Sequence, residues 1–149
     1  MLVYRIVLNQ YSQTPKASGQ AARWNPNKVE MIYTSANRSL SCLENVVHRG
    51  KAGLMQLFSV LTIEIPKAVS IKKINLGELT ENWKDYDQFY FTQNLGKKWT
   101  DTGETAVLQV PSSIIEEETN CLINPNHPDF PKIKIIKTEP FVFDNRIKL

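Results

Sequence analysis

Residues 36–48 read ANRSLSCLENVVH, and this stretch predicts a short amphipathic helix. On a helical wheel of about 100° per residue, its apolar side chains form one stripe: Ala36, Leu40, Leu43 and Val47. Glu44 lies at the border of that stripe and not on the opposite, wetted face. Because a bare buried charge is costly, its carboxylate must be paired, hydrogen-bonded or placed in a cleft. A cleft carboxylate can do chemistry, whereas a structural ion pair is the plainer alternative.

Outward from this helix, short runs rich in Val, Ile and aromatic residues predict strands. These runs are 2–8, 31–34, 57–65, 69–76, 106–110, 121–123, 133–136 and 141–143. Between the first two lies a long polar loop, 9–30, and a second helix is predicted over 85–95 with Gly96 near its end. Ser35 or Asn37 can cap the first helix, and Gly50 can end it. Because strands and helices do not alternate regularly, we expect an α+β fold with a mixed, mainly antiparallel β core.

The bulk composition predicts one ordinary globular domain over residues 1–149. Hydrophobic residues make up 42% of the chain and charged residues 22%. The net charge of +3, from 18 basic minus 15 acidic residues, is too weak to indicate nucleic acid without a clustered patch. We find neither a run near the ~20 apolar residues of a membrane span nor a signal peptide, so we expect a cytoplasmic protein. Cys42 and Cys121 lack metal-ligand spacing and are predicted to be reduced packing residues.

Three further segments offer partners to Glu44. Arg23 lies toward the end of the long loop, and its planar guanidinium matches a phosphate bidentately. Tyr33 lies near a strand end, where a ring can stack on a flat ligand. Ser112 comes directly after Pro111, which ends a strand and places a hydroxyl at the sheet edge. Taken singly, each has a plainer interpretation: a surface arginine, a half-buried core tyrosine and a turn serine.

Other polar residues are predicted to be structural. His48 follows Glu44 by one helical turn near a helix end, where a charged histidine is favoured by the helix dipole. His127 lies in a turn between Asn126 and Pro128. The run 116–118 consists of three glutamates and is expected to face solvent or to begin a helix.

The order of these residues resembles the RES-domain family, which is named after an Arg, a Glu and a Ser. Here the resemblance falls on Arg23, Glu44 and Ser112, and it extends over nearly the whole chain, from Tyr4 to Arg146. The other family-like stretches are Tyr33-Thr34-Ser35, Leu43-Glu44, Trp83, Gly96 with Trp99, and Asn120-Cys121-Leu122-Ile123-Asn124-Pro125.

The resemblance implies a fold similar to that of ADP-ribosyltransferases, NAD⁺ as the substrate and no metal. It assigns the phosphates of NAD⁺ to Arg23, the nicotinamide ring to Tyr33, catalysis to Glu44 and a substrate hydrogen bond to Ser112. Lesser candidates for binding NAD⁺ are Arg5, for a phosphate, and Asn120. Breaking the nicotinamide–ribose bond builds positive charge on the ribose, which a fixed carboxylate can stabilise.

The resemblance further implies the toxin of a bacterial toxin–antitoxin pair, which arrests growth by consuming NAD⁺. Its partner would be a helix-turn-helix antitoxin of the Xre type, and DNA would be reached only through that antitoxin. Hydrolysis, phosphorolysis and ADP-ribosyl transfer to a protein stay open as reactions, as does the oligomeric state, a homodimer included. The alternatives are an RNA-targeting toxin and a catalytically silent interaction domain.

Overall fold

A computed structural model describes residues 1–50, 53 and 55–147. In this part of the chain seven strands form one sheet: β1 (Leu2–Leu8), β2 (Ile32–Ser35), β3 (Phe58–Glu64), β4 (Ile71–Lys73), β5 (Val107–Pro111), β6 (Thr119–Ile123) and β7 (Lys134–Phe141). The strand order is β4-β5-β6-β2-β1-β3-β7. Neighbouring strands are antiparallel except β4 and β5, which are parallel. The predicted α+β fold with a mixed, mainly antiparallel sheet is therefore confirmed.

Helix α1 (Arg38–His48) begins where the sequence predicts it. The side chain of Asn37 caps it by accepting a hydrogen bond from the Leu40 backbone N–H at 2.8 Å. The predicted apolar stripe is only partly correct, because Leu40 is buried whereas Val47 is 57% exposed. Ser41 is also buried, and its Oγ accepts from the Ile6 backbone N–H at 3.1 Å. A small, hydrogen-bonded side chain thus lets the helix approach β1 closely.

Helix α2 (Phe89–Thr102) differs most from its prediction. It runs well past Gly96, which lies inside the helix and not near its end. A Cβ added to Gly96 would lie 1.8 Å from the carbonyl oxygen of Trp24, so the glycine permits a close approach between helix and loop. The helix ends instead at Gly103, whose φ of 57° provides the left-handed residue common after a helix.

Two other strand predictions were wrong in extent. The first, over 69–76, reduces to the three residues of β4, after which Leu76–Glu78 forms a 3₁₀ turn. The second concerns the two separate runs at 133–136 and 141–143, which are replaced by the single strand β7. Pro140 lies within β7, and it is tolerated because β7 is an edge strand, where a missing N–H costs no ladder bond on the open side.

The two faces of the sheet carry different residues because side chains alternate along each strand. The back face carries Val3, Val7, Ile32 and Cys121 in one apolar cluster. The front face carries two clusters, one beneath α1 and one around three tryptophans: Trp24, Trp83 and Trp99. Among the described residues, no helix is long and apolar enough to cross a membrane.

Candidate active site

Side chains from three parts of the fold meet at Glu44 on the front face. Its Oε1 accepts hydrogen bonds from Asn120 Nδ2 at 2.6 Å and from Ser112 Oγ at 3.1 Å. Its Oε2 lies 3.7 Å from His48 Nε2, one turn further along α1. The Glu44 side chain is 21% exposed, so the carboxylate is held at one oxygen and still reaches solvent. The structure therefore brings together three of the residues singled out in the sequence.

The protonation of Glu44 reflects two opposing effects. Burial raises the pKa of its carboxyl, but the contacts from His48, Asn120 and Ser112 lower it by more, so the net pKa lies below the ordinary value of 4.5. Hydrogen bonds to the charged form of a carboxyl act in this direction. At neutral pH the carboxylate is therefore an anion.

Ser112 is fixed by the turn that follows β5. Its Oγ accepts hydrogen bonds from the backbone N–H groups of Ile114 at 3.1 Å and Ile115 at 3.3 Å. The Ser112 hydroxyl proton is thereby directed to Glu44, and the side chain is fully buried. β5 ends at Pro111 and Ser112 follows it, but the hydroxyl is anchored in a turn and not at an open sheet edge.

Asn120 reaches Glu44 from β6. It lies directly opposite Ser35 of β2 in the antiparallel register. Ser35 Oγ donates a hydrogen bond to Asn120 Oδ1 at 2.8 Å. Sequence reasoning considered Ser35 only as a helix cap or as part of a family-like stretch. The pairing register of β2 and β6 is the signal that would have linked these two residues.

Arg23 is held at its site by backbone carbonyls and an aromatic ring. Its Nη1 donates to the Trp83 carbonyl at 3.0 Å and its Nη2 to the Lys84 carbonyl at 2.8 Å. The guanidinium carbon lies 4.5 Å from the centre of the Phe89 ring. Burial lowers the pKa of Arg23, while the charge of Glu44 acts in the opposite direction. Arginine stays charged under these conditions, so the site contains a fixed cation near the Glu44 anion.

Tyr33 connects the loop that carries Arg23 to the sheet. Its hydroxyl donates to Asn25 Oδ1 at 2.7 Å and accepts from the Trp24 backbone N–H at 3.1 Å. Burial raises the pKa of Tyr33 far above its ordinary value, so the hydroxyl is neutral at physiological pH. Asn25, which sequence reasoning did not assign, anchors the loop further by donating to the carbonyls of Gln20 and Val29.

The chain matches the family model described as RES domain over residues 2–144. It belongs to the RES domain family. This RES domain is 38% identical over 127 residues to the Prs ADP-ribosylating toxin of Sphingobium sp. (strain YBL2), covering 84% of this chain and 79% of that protein. It is 29% identical over 153 residues to Toxin Res of Yersinia enterocolitica, covering 99% of this chain and 100% of that protein.

The fold of this RES domain also has a solved counterpart. It is similar, with a TM-score of 0.76, to a chain in the crystal structure of the M. tuberculosis MbcT–MbcA toxin–antitoxin complex. The match covers 95% of this chain and 84% of that chain at 14% sequence identity. At that identity the likeness concerns the fold alone.

Arg5 of the RES domain lies apart from the other candidates. It lies on β1 two residues from both Val3 and Val7 and therefore shares their back face, whereas Tyr33 and Asn120 lie on the front face. Its Nη1 donates to the Lys16 carbonyl at 2.8 Å. The structure therefore does not bring Arg5 to Glu44, and its predicted phosphate contact receives no support from the geometry.

The remaining polar residues of the RES domain serve local structure. Glu118 does not simply face solvent, because its Oε2 accepts from the side chain of Asn37 at 2.6 Å beside the start of α1. His127 Nδ1 accepts from the Asp129 backbone N–H at 3.0 Å, as expected for a turn. Within the described ranges, no group of three or more His, Cys, Asp or Glu side chains is arranged to hold a metal ion.

Proposed function

We propose that this RES domain is the toxin of a toxin–antitoxin pair and consumes NAD⁺ by cleaving its nicotinamide–ribose bond. The observation that carries the proposal is the anchored Glu44 carboxylate, which two donors hold at one oxygen. Family membership and the relatives named as toxins support the biological role. Its products would be nicotinamide and ADP-ribose, or ADP-ribose 1-phosphate where phosphate is the acceptor.

The chemistry of the bond fits a fixed anion. As the bond to nicotinamide lengthens, the ribose gains positive charge at C1′, as a sugar ring does in glycoside hydrolysis. A carboxylate that is already oriented stabilises that charge without reorganising during the reaction. Nicotinamide leaves as a neutral ring, so no strong general acid is required. In this proposal Glu44 therefore acts as an anion throughout the reaction.

Arg23 supplies the binding charge in this proposal. Its guanidinium is oriented by the carbonyls of Trp83 and Lys84, and the fork has further N–H groups that can reach a diphosphate. Tyr33 offers its ring edge or face to the nicotinamide while its hydroxyl holds the Arg23 loop. Ser112 and Asn120 would keep Glu44 aimed at the ribose.

The substitution Glu44→Gln tests the catalytic role. Glutamine keeps an oxygen that can accept from Ser112 and Asn120, so the fold should persist while the charge is lost. We expect the rate of NAD⁺ loss, followed by chromatography, to fall about 100-fold or more. The matched control is Glu139→Gln, which removes a surface carboxylate paired with Arg38 and should leave the rate unchanged. Wild-type consumption of NAD⁺ by Glu44→Gln would refute the assignment.

The substitution Arg23→Ala tests the binding role. We expect the KM for NAD⁺ to rise about tenfold or more, because a charge-assisted contact to phosphate would be lost. Arg146→Ala is the control, since Arg146 is exposed and pairs with Asp144 on the surface. An unchanged KM in Arg23→Ala would count against the phosphate role without affecting the case for Glu44.

ADP-ribosyl transfer to a protein is the second candidate reaction. It is favoured by the relative named Prs ADP-ribosylating toxin, which is 38% identical to this RES domain. NAD⁺ labelled in its adenosine half distinguishes the two reactions. Label that accumulates in free ADP-ribose or its phosphate supports cleavage alone, and label that becomes covalently attached to a protein band supports transfer.

The partner in this proposal is a small helix-turn-helix antitoxin, with operator DNA bound only through it. Co-expression tests this part separately from the chemistry. A helix-turn-helix protein encoded in the neighbouring reading frame should co-purify with the RES domain and suppress NAD⁺ loss. A neighbouring protein that neither binds nor inhibits would argue against the toxin–antitoxin arrangement.

A further inference from the structure

A chain of hydrogen bonds leads from the centre of the sheet to the Glu44 carboxylate. Ser35 Oγ donates to Asn120 Oδ1 at 2.8 Å, and Asn120 Nδ2 donates to Glu44 Oε1 at 2.6 Å. Both ends of the Asn120 amide are therefore engaged, one by a hydroxyl and the other by the carboxylate. Ser35 itself does not contact Glu44 through any hydrogen bond in the described part of the chain.

The amide of Asn120 needs this second partner to be fixed. The terminal torsion of asparagine is broad, so its own rotamer does not lock the amide plane. A single hydrogen bond to Glu44 would leave the amide free to rotate about that contact, whereas two bonds at opposite ends define its plane. The carboxylate oxygen can only accept, so the Nδ2 group must face Glu44 and Oδ1 must face Ser35.

Ser35 is well placed to act as a rigid support. It is only 4% exposed, and it lies on β2 between β1 and β6. Its backbone is opposite Tyr4 on one side and opposite Asn120 on the other. Groups carried by central strands are held more precisely than groups on loops. The Ser35 hydroxyl is therefore a fixed reference point for the Asn120 amide.

We propose that Ser35 is a positioning residue for the reaction, which keeps Glu44 aimed at the ribose by fixing the Asn120 amide. The inference rests on the proposed NAD⁺ cleavage and adds a residue behind the catalytic carboxylate. Small displacements of a reacting group reduce rates strongly, by about 100-fold for roughly 1 Å. Loss of the Ser35 hydroxyl should therefore affect the chemical step more than NAD⁺ binding, because Arg23 is held by a different segment.

The first test compares Ser35→Ala with Thr34→Val. Thr34 is the matched control because its buried hydroxyl also links β2 to β6, by donating to the Cys121 carbonyl at 2.7 Å, but on the back face. In Ser35→Ala we expect kcat to fall about tenfold or more while KM changes less than about twofold. In Thr34→Val both constants should stay at their wild-type values. A wild-type kcat in Ser35→Ala, or an equal loss in Thr34→Val, would overturn the proposal.

Two further variants separate the hydroxyl from the folding of the strand. Ser35→Thr and Ser35→Val add the same bulk and differ in a hydroxyl against a methyl group, so they remain informative if Ser35→Ala does not fold. Ser35→Thr should retain most of the rate and Ser35→Val should not. In the Asn120→Ala background, Ser35→Ala should lower kcat little further, because the hydrogen bond from Asn120 to Glu44 is already lost. Equal rates in the Thr and Val variants, or additive losses, would contradict the proposal.

A readout without NAD⁺ keeps this inference distinct from the proposed function. The Glu44 carboxyl can be titrated by ¹³C NMR, and a looser Asn120 contact should raise its pKa in Ser35→Ala but not in Thr34→Val. If the wild-type protein consumes no NAD⁺, the proposed function fails while this titration still tests the link. An unchanged Glu44 titration in Ser35→Ala would refute the positioning role.

Discussion

At Glu44, burial and hydrogen bonding act on one carboxylate in opposite directions. Burial disfavours the charge, whereas the contact from His48 and the two donors Asn120 and Ser112 favour it. Both donors belong to segments that lie far from Glu44 in the chain. The contribution of these two donors to the lowered pKa lasts only while the β5–β6 region stays packed against α1. The lowered pKa of Glu44 therefore depends on tertiary contacts as well as on His48 of the same helix.

The acid stability of the protein should report this arrangement. The pKa of Glu44 is lowered in the folded state, so its contribution to stability is complete above the ordinary value of 4.5 and is lost as pH falls through the folded-state pKa. We expect the difference in unfolding free energy between wild type and Glu44→Gln to be constant near pH 6 and to shrink below about pH 4.5. Urea titrations from pH 6 to pH 3 measure it. A difference that grows on acidification would contradict the prediction.

The candidate site residues could be named from the sequence, but most of their partners could not. The sequence identified Arg23, Glu44 and Ser112 through the family resemblance. It could not show that Arg23 is held by two carbonyls of residues 83–84, because backbone acceptors leave no signature in residue type. The contacts of Asn25 and Ser35 were also missed. Their contacts follow from the loop path and from the strand register.

At the scale of elements, the sequence predicted where the two helices lie but not which residues pack them against the rest of the fold. Helix α1 approaches the sheet through Ser41 and Asn45, whose side chains bond to the backbone of Ile6. A pattern that counts only apolar residues overlooks such a face, because Ser41 is buried and Asn45 half-buried, with hydrogen bonds to the sheet. Helix α2 was predicted too short since glycine was taken as an end signal, when it serves close packing against Trp24.

Replacing Gly96 tests that packing. Gly96→Ala would gain about 1 kcal/mol of helix propensity, but its Cβ would lie 1.8 Å from the backbone oxygen of Trp24, which cannot move aside as a flexible side chain could. We expect a net loss of about 2–3 kcal/mol in unfolding free energy by urea titration. Gly77→Ala is the control, because an added Cβ there meets nothing within 4 Å. Equal stability of Gly96→Ala and wild type would show that helix and loop can separate freely.

Across the whole molecule, the sheet order explains where the site lies. Tyr33, Ser35 and Asn120 belong to β2 and β6, which are interior strands, while α1 and the tryptophan cluster cover the same front face on either side. The sequence predicted most of the strands, and the irregular order of strands and helices, together with the family resemblance, indicated the fold class. The strand order could not be read from the sequence, because pairing partners depend on contacts between distant residues. The site is thus built on the best-supported part of the sheet.

Hydrogen exchange should show that the backbone amides of central strands are better protected than those of the edge strand β4. β1 pairs with β3 along its whole length and also contacts β2, whereas β4 has three exposed residues and, among the described strands, pairs only with β5. Strands with few buried contacts open locally, while central strands exchange only on larger unfolding. We expect hydrogen-bonded amides of β1 to exchange about 100-fold or more slowly than those of β4, as measured by NMR at neutral pH. Equal rates in the two strands would mean that the sheet opens as one unit, and the site would then have no better-protected foundation than the edge.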